Sequence, residues 1–208
     1  AYANTIDADG KPNFIVGNIP PTKGLGTFEP RVYFGENVPD YSIIGGSKST
    51  KALELDYPDD ASANGQKNFT YTGKGGVPIG SLLNKLLFAV KYQEQRIVLS
   101  NLINKDSKIL YNRDPKTAVS KVAPWLTLDG NPYPAIVDGK ITWIIDGYTT
   151  SGGYPYSKYT NLATATTNSV TNATTSVDTL SNKNVNYIRN SVKATVDAYD
   201  GTVTLYQW

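Results

Sequence analysis

The sequence predicts an α+β fold, with a mixed or antiparallel sheet, β-hairpins, two to three helices and a long Thr/Asn-rich surface loop. Three observations predict it. Asp138-Gly139 and Asp200-Gly201 each sit between β-branched, aromatic-rich runs, in AIVDGKITWII and SVKATVDAYDGTVTLYQW. The segment after Pro78 carries apolar residues at helical spacing. Short strand-like runs surround both, cut by Gly, Pro, Asp and Asn. At 208 residues the chain can bury a proper core, and residues 1–208 read as a single domain.

The elements follow in order. Residues 1–30 are rich in Gly, Pro and Asn around one apolar burst, Phe14-Ile15-Val16, and read as an extended arm or edge strand. RVYFGENVPDYSIIGG gives two β-like runs, Arg31 to Phe34 and Tyr41 to Ile44, split by a turn at Pro39-Asp40. KALELDYP alternates Leu53, Leu55 and Tyr57 against Glu54 and Asp56, a half-buried strand pattern, and DDASANGQ is a loop. Ile79, Leu82, Leu83, Leu86, Leu87 and Val90 form a helical stripe expected to face the core, with Pro78 in the first turn. RIVLS is a short strand or a helical continuation, and KILY a buried strand. DPKTAVSKVAPWL opens as an Asp-Pro helix start, places Ala118, Val119 and Val122 on one side, and is limited by Pro124. The Asp-Gly pairs predict hairpins with type I′ turns, whose central residues both need positive φ. Between the hairpins, 160–184 is almost pure Thr, Asn, Ser and small apolar residues, and reads as a flexible loop or insertion.

Composition narrows the chemistry. Twenty basic residues stand against eighteen acidic ones without a basic run, which argues against a nucleic-acid backbone binder. The chain has no Cys, Met or His. That removes disulfides, thiolate nucleophiles, sulfur metal sites, the commonest general base and the commonest transition-metal ligand. A natural chain starts with Met, so an excised or processed segment is expected. Absence of the oxidisable residues, with abundant Tyr, Thr and Asn, fits an extracytoplasmic bacterial domain. The longest apolar run, Leu86 to Val90, is far short of a membrane helix.

The sharpest catalytic-looking signal is YTGKGGVPIGS. A phosphate-cradling loop needs Gly-Lys followed by Ser or Thr, but Lys74 is followed by Gly75, and Pro78 stands where a dinucleotide loop requires its third glycine. What survives is a possible anion site at a helix start, formed by Lys74, Gly75, Gly76 and Ser81. DADGK and YPDDASANG gather oxygens but lack the alternating carboxylates of a calcium loop, so no metal is expected. Asp146 and Asp197 are the two carboxylates placed on predicted strands near aromatic residues, and if the hairpins share a sheet and the two converge they suggest glycoside hydrolysis. No serine-nucleophile motif occurs and no cofactor is expected. DGYTTSGGYPYSKY clusters Tyr148, Tyr154, Tyr156 and Tyr159 in a glycine-containing loop, a candidate surface for stacking on sugars or anchoring a partner. The alternative is a local cover over the second hairpin.

Three stretches carry a family resemblance: YTGKGGVPIGS, the block SKILYNRDPKTAVSKVAPWLTLDGNPYPAIVDGKITWIIDGYTTSGGYPYS, and NVNYIRNSVKATVDAYDGTVTLY. Together they resemble the extracytoplasmic region of the uncharacterised protein family 0182, large polytopic membrane proteins of Gram-positive bacteria and relatives. The resemblance covers roughly residues 10–208, without the stretch 160–184. It implies a piece of a longer protein, joined to the cell membrane through flanking helices and lying on the extracellular side. It carries over no catalytic or ligand residue. The resulting expectation is a non-enzymatic extracytoplasmic domain whose partners are the membrane, through those helices, and a cell-wall glycan or another envelope protein. The alternatives are an envelope enzyme acting on carbohydrate or lipid-linked substrate, and a regulatory cap over a transporter-like membrane part.

Overall fold

Among the described residues, buried apolar side chains gather around Ile79, Ile97 and Ile109, around Val119, Ile145, Ala194 and Val196, and in a smaller cluster at Leu162 and Val185. The chain divides into two compact units, Ala1–Lys23 with Pro39–Asn112 and Gly24–Val38 with Arg113–Trp208. The computed structural model describes residues 3–6, 8–10, 12–14, 27–45, 52, 54–165 and 183–208. Ile15 and Val16 of the N-terminal burst, Asp7 of the first oxygen-rich turn, Leu53 of the alternating run and 166–182 of the Thr/Asn-rich stretch lie outside the described residues. The architecture is α+β, with antiparallel pairing throughout the named strands.

In the first unit, β1 (Ala3–Ile6) pairs with β2 (Pro12–Phe14), and β4 (Glu54–Pro58) with β5 (Gln66–Phe69). A three-stranded sheet has the order β3 (Tyr41–Ile44), β7 (Lys108–Tyr111), β6 (Val77–Pro78). Helix α1 (Leu82–Tyr92) and the single turn α2 (Arg96–Leu99) pack beside it around Ile79, Ile97 and Ile109. The run Tyr41 to Ile44 and the KILY strand were legible in the sequence; RIVLS resolves as the helical alternative.

Three expectations in this unit need correction. In β4 the alternation is broken: Tyr57 is half-buried as expected, but Leu55 is exposed, while the Glu54 carboxylate turns inward to accept the N–H groups of Gly45 (2.6 Å) and Tyr71 (3.2 Å). The ladder shifts register between Leu55 and Tyr57, and a bulge of this kind breaks the two-residue alternation. Pro78 belongs to β6, not to the helix; Ser81 caps α1, its Oγ accepting the Asn84 N–H at 3.2 Å. The apolar stripe of α1 does not face the core. Leu82, Leu83, Leu86, Leu87 and Val90 point outward, between 46% exposed at Leu86 and 77% at Val90. Phe88, Ala89 and Tyr92 pack inward on Ile79, Ile97 and Ile109 instead. Tyr92 stacks on Tyr41 with centroids 4.3 Å apart, Lys91 Nζ sits 4.4 Å from the Tyr111 ring centroid, and Lys85 Nζ donates to the Ile103 carbonyl at 2.9 Å. The helix is therefore held by aromatic and cationic contacts on its less aliphatic side.

The second unit is built on β10 (Lys140–Ser151) and β13 (Tyr187–Asp197), paired along nearly their whole lengths. The sheet runs β14 (Val203–Gln207), β13, β10, β8 (Thr127–Leu128), and β9 (Tyr133–Val137) also pairs with β10. Helix α3 (Pro115–Val122), capped by Asp114, delivers Val119 onto Ile145, Ala194 and Val196. The short strands β11 (Thr160–Asn161) and β12 (Asn184–Val185) pair with each other, and α4 (Leu162–Ala165) follows β11. The described ends of the Thr/Asn-rich stretch thus carry these two strands and α4, with Leu162 buried.

The hairpin at Asp138-Gly139 has the expected positive φ at both residues, 50° and 72°. At Asp200-Gly201 only Gly201 is left-handed, at 76°. The loop there is longer, because Asp197 Oδ1 accepts the N–H groups of Tyr199 (2.8 Å) and Asp200 (3.2 Å) and the Gly201 N–H bonds back to the Asp197 carbonyl. Arg31 to Phe34 is not a strand. Its Tyr33 and Phe34 N–H groups converge on the Ala198 carbonyl, and the Phe34 ring lies so close to Gly201 that a Cβ there would come within 2.5 Å.

Candidate functional site

After β10 the chain passes through Gly152 and Gly153 into a loop that ends at Tyr159, just before β11. The Asn186 side chain clamps it: Oδ1 accepts the Tyr154 N–H at 3.0 Å, and Nδ2 donates to the Tyr154 carbonyl at 2.7 Å. Ser157 Oγ donates to the Asn186 carbonyl at 2.9 Å, and the Tyr159 hydroxyl to the Gly152 carbonyl at 2.5 Å. One amide side chain thus acts as a neighbouring strand would. Tyr154 stacks on Tyr187 of β13, with centroids 5.4 Å apart and planes 18° from parallel. Tyr156, at φ 58°, stands fully in solvent, and Tyr154 and Tyr159 are more than half exposed. A non-glycine residue in the left-handed region costs about 1 kcal/mol or more, so the surrounding bonds must hold it there. The result is a hydrogen-bonded stretch of backbone from which the rings project, with the Tyr154 ring also held by its stack on Tyr187.

Tyr148 leaves this group. A bulge between Gly147 and Tyr148 turns it against Leu162 and Val185, and its hydroxyl donates to Asp129 Oδ2 at 3.3 Å. Burial, with the Asp129 and Asp146 carboxylates, raises its pKa above the ordinary phenol value. Tyr148 is part of the sheet.

The two carboxylates do not converge. Asp197 lies opposite Thr142 and Asp146 opposite Lys193 on the same strand pair, a separation along the ladder of about 13 Å at the rise of an extended strand. Glycosidase pairs lie about 5–9.5 Å apart. Each is also spoken for. Asp146 accepts from Lys193 Nζ and, at 2.8 Å, from Asn190 Nδ2. Asp197 accepts from Lys140 Nζ at 2.7 Å. Burial alone would raise the pKa of Asp197, but Lys140 and the Tyr199 and Asp200 N–H groups outweigh it and leave the carboxyl below its ordinary value.

The glycine-lysine loop divides between elements. Gly75 and Gly76 lead into β6, Gly76 at φ 93° with Leu110 so near that a Cβ would meet it at 2.9 Å. Lys74 is exposed, and Ser81 caps α1 after β6 has intervened. In the second oxygen-rich turn, Asp59 Oδ1 accepts the Ala61 N–H at 3.1 Å, as in an ordinary Asx turn.

The sequence profile of the uncharacterised protein family (UPF0182) matches residues 1–208. The chain belongs to this family. Among its relatives are UPF0182 proteins of Arthrobacter sp. (strain FB24), 53% identical, of Bifidobacterium adolescentis, 51% identical, and of Kineococcus radiotolerans, 50% identical. Each alignment covers 100% of this chain but only 21%, 19% and 20% of the respective relative. This UPF0182 chain spans about a fifth of the length of the curated relatives it matches. No solved structure matches it.

Within this UPF0182 chain, no group of three or more Asp or Glu side chains among the described residues could hold a metal ion. No helix among them is long and apolar enough to cross a membrane. Sequence reasoning missed Asn186 and Tyr187. Asn186 breaks the NVNYI run between two strands, and an Asn at such a break commonly bonds to backbone; nothing local says that its partner lies 32 residues earlier.

Proposed function

We propose that this chain is a non-enzymatic docking domain, on the extracytoplasmic side of a membrane-anchored UPF0182 protein, that contacts cell-wall glycan through the tyrosine loop. The observation carrying this reading is the loop's construction: Tyr154, Tyr156 and Tyr159 project from backbone that Asn186 and Ser157 hold in place. Flat phenol rings with a polar tip stack on the apolar faces of sugars while the hydroxyl bonds to the rim. The sequence without Cys, Met or His supports an oxidant-exposed location, and the resemblance to an extracytoplasmic region supports attachment to the membrane. Asp146 and Asp197, each in its own ion pair and too far apart for a glycosidase pair, give no support to a hydrolase.

Retention of the 208-residue chain on purified wall glycan tests it. Tyr156→Ala is expected to lower retention roughly tenfold, as loss of a stacking ring does at an interface anchor, and Tyr154→Ala by a similar factor. Unchanged retention in both variants removes the tyrosine loop as the contact.

A further inference from the structure

β14 ends the main sheet of the second unit, and none of its residues belongs to the tyrosine loop. Two bonds bracket its ladder with β13: the Asp197 N–H donates to the Thr202 carbonyl at 3.0 Å, and the Trp208 N–H to the Ser191 carbonyl at 3.0 Å. Antiparallel strands exchange bonds at every second residue. Thr204 and Tyr206 therefore turn their backbone groups toward β13, and Val203, Leu205 and Gln207 turn theirs away. The outward N–H and C=O groups meet no partner among the described residues. Open edges of this kind are templates for pairing, and proteins usually blunt them with proline, lysine, a bulge or a very short strand. On the opposite side of the sheet β8 has two residues and β9 carries Pro134. Val203–Gln207 has no charge, no proline, no glycine and no register shift against β13.

An unpaired edge, unlike an apolar face, states the chemistry of what covers it: an extended backbone with matching N–H and C=O groups. The side chains say whose backbone fits. Two-fold pairing with β14 of a second copy, centred on Leu205, sets every outward group of one strand against one of the other. Val203 then meets Gln207 of the other copy, and Leu205 meets Leu205. On the opposite face Thr204 meets Tyr206, which is more than half exposed in the single chain. Aromatic rings beside β-branched residues are among the stabilising cross-strand pairs. No rung of this pairing opposes like charges. Lys193, behind Tyr206 on β13, is neutralised by Asp146 and covered by the Trp208 ring, 5.2 Å from its Nζ. Val203 packs on the buried cluster below, which fixes the strand in place for pairing. We propose that two copies of this chain associate edge to edge through β14, antiparallel about Leu205, joining their sheets into one.

Sedimentation velocity of the 208-residue chain, from low to high micromolar concentration, is expected to show a reversible monomer–dimer equilibrium. Leu205→Pro removes the N–H at the axis. That N–H makes no bond within the chain, and an edge position whose N–H faces solvent is where a strand tolerates proline. The dissociation constant of the dimer should rise roughly tenfold or more, because the loss is repeated in both copies. Leu205→Lys and Leu205→Glu keep the test independent of proline. Each alone places like charges face to face at the axis and weakens association, while an equimolar mixture of the two recovers a heterodimer. Circular dichroism checks that each variant is folded, and Tyr156→Ala leaves association unchanged, which separates this edge from the glycan reading. A chain that stays monomeric throughout the series overturns the proposal. So does a dimer indifferent to all three substitutions at 205, or a mixture of the Lys and Glu variants that fails to associate.

Discussion

Asp197 concentrates several demands on one carboxylate. It ends β13, bonds to two N–H groups of the turn that follows, and meets Lys140 from the neighbouring strand. Its side chain is mostly buried whereas that of Lys140 is half exposed, so the ion pair adds less than the turn bonds do. Asp197→Ala is expected to cost about 1–3 kcal/mol at neutral pH, measured by urea unfolding. The sign of the pH dependence follows from the lowered pKa in the folded state. The stabilisation is fully present above the unfolded carboxylate value of about 3.9 and is lost as pH falls through the lower folded value. The gap between wild type and variant should therefore narrow on acidification, not on alkalinisation. A gap that is constant down to the acid transition would mean that the carboxylate's charge contributes nothing.

At the scale of elements, α1 shows what a sequence reveals and what it withholds. Helical spacing from Leu82 to Val90 identifies the helix and the width of its aliphatic face. It does not say whether that face is covered by the same fold, because Phe88, Tyr92 and the stems of Lys85 and Lys91 also bury apolar area. Two faces were eligible, and long-range contacts with Tyr41, Tyr111 and Ile103, invisible to periodicity, chose between them. The same holds for β4, where one bulge broke a legible alternation. Asp138-Gly139 was legible because its turn is local; the Asp200-Gly201 turn was not, because Asp197 enlarges it. In the candidate site the clustering of the tyrosines in one glycine-containing loop was legible, but not which of them are exposed, the departure of Tyr148 or the clamp by Asn186, the last two set by residues far away in sequence. Ser81 offers a clean test at this scale. With no acidic residue in its first turn, α1 relies on that one side chain for capping. Ser81→Ala should cost about 1 kcal/mol in chemical unfolding, and Ser81→Asp should retain the cap and improve the interaction with the helix dipole. Equal losses in both variants would contradict a capping role.

For the whole molecule, the deciding feature is that the larger buried cluster of each unit shares no residue with that of the other, among the described residues. Ile79, Ile97 and Ile109 close one, and Val119, Ile145, Ala194 and Val196 close the other. The chain passes between the units at 23–24, 38–39 and 112–113, so connectivity alone does not make them independent. Cavity-forming substitutions separate the possibilities. Ile109→Ala and Ile145→Ala each remove three carbons from a completely buried side chain, which costs about 2–5 kcal/mol. If each core stabilises its own unit, native-state hydrogen exchange in Ile109→Ala should lose protection across β3 and β7, and in Ile145→Ala across β10 and β13, with the other unit's amides unchanged. Loss of protection in every strand of both variants would instead make the chain one cooperative unit. The outcome also bears on the two surfaces. The tyrosine loop and the outer edge of β14 both belong to the second unit. Independently stable units would therefore leave glycan retention and self-association intact in Ile109→Ala, whereas a single cooperative unit would couple occupancy of either surface to the stability of the entire chain.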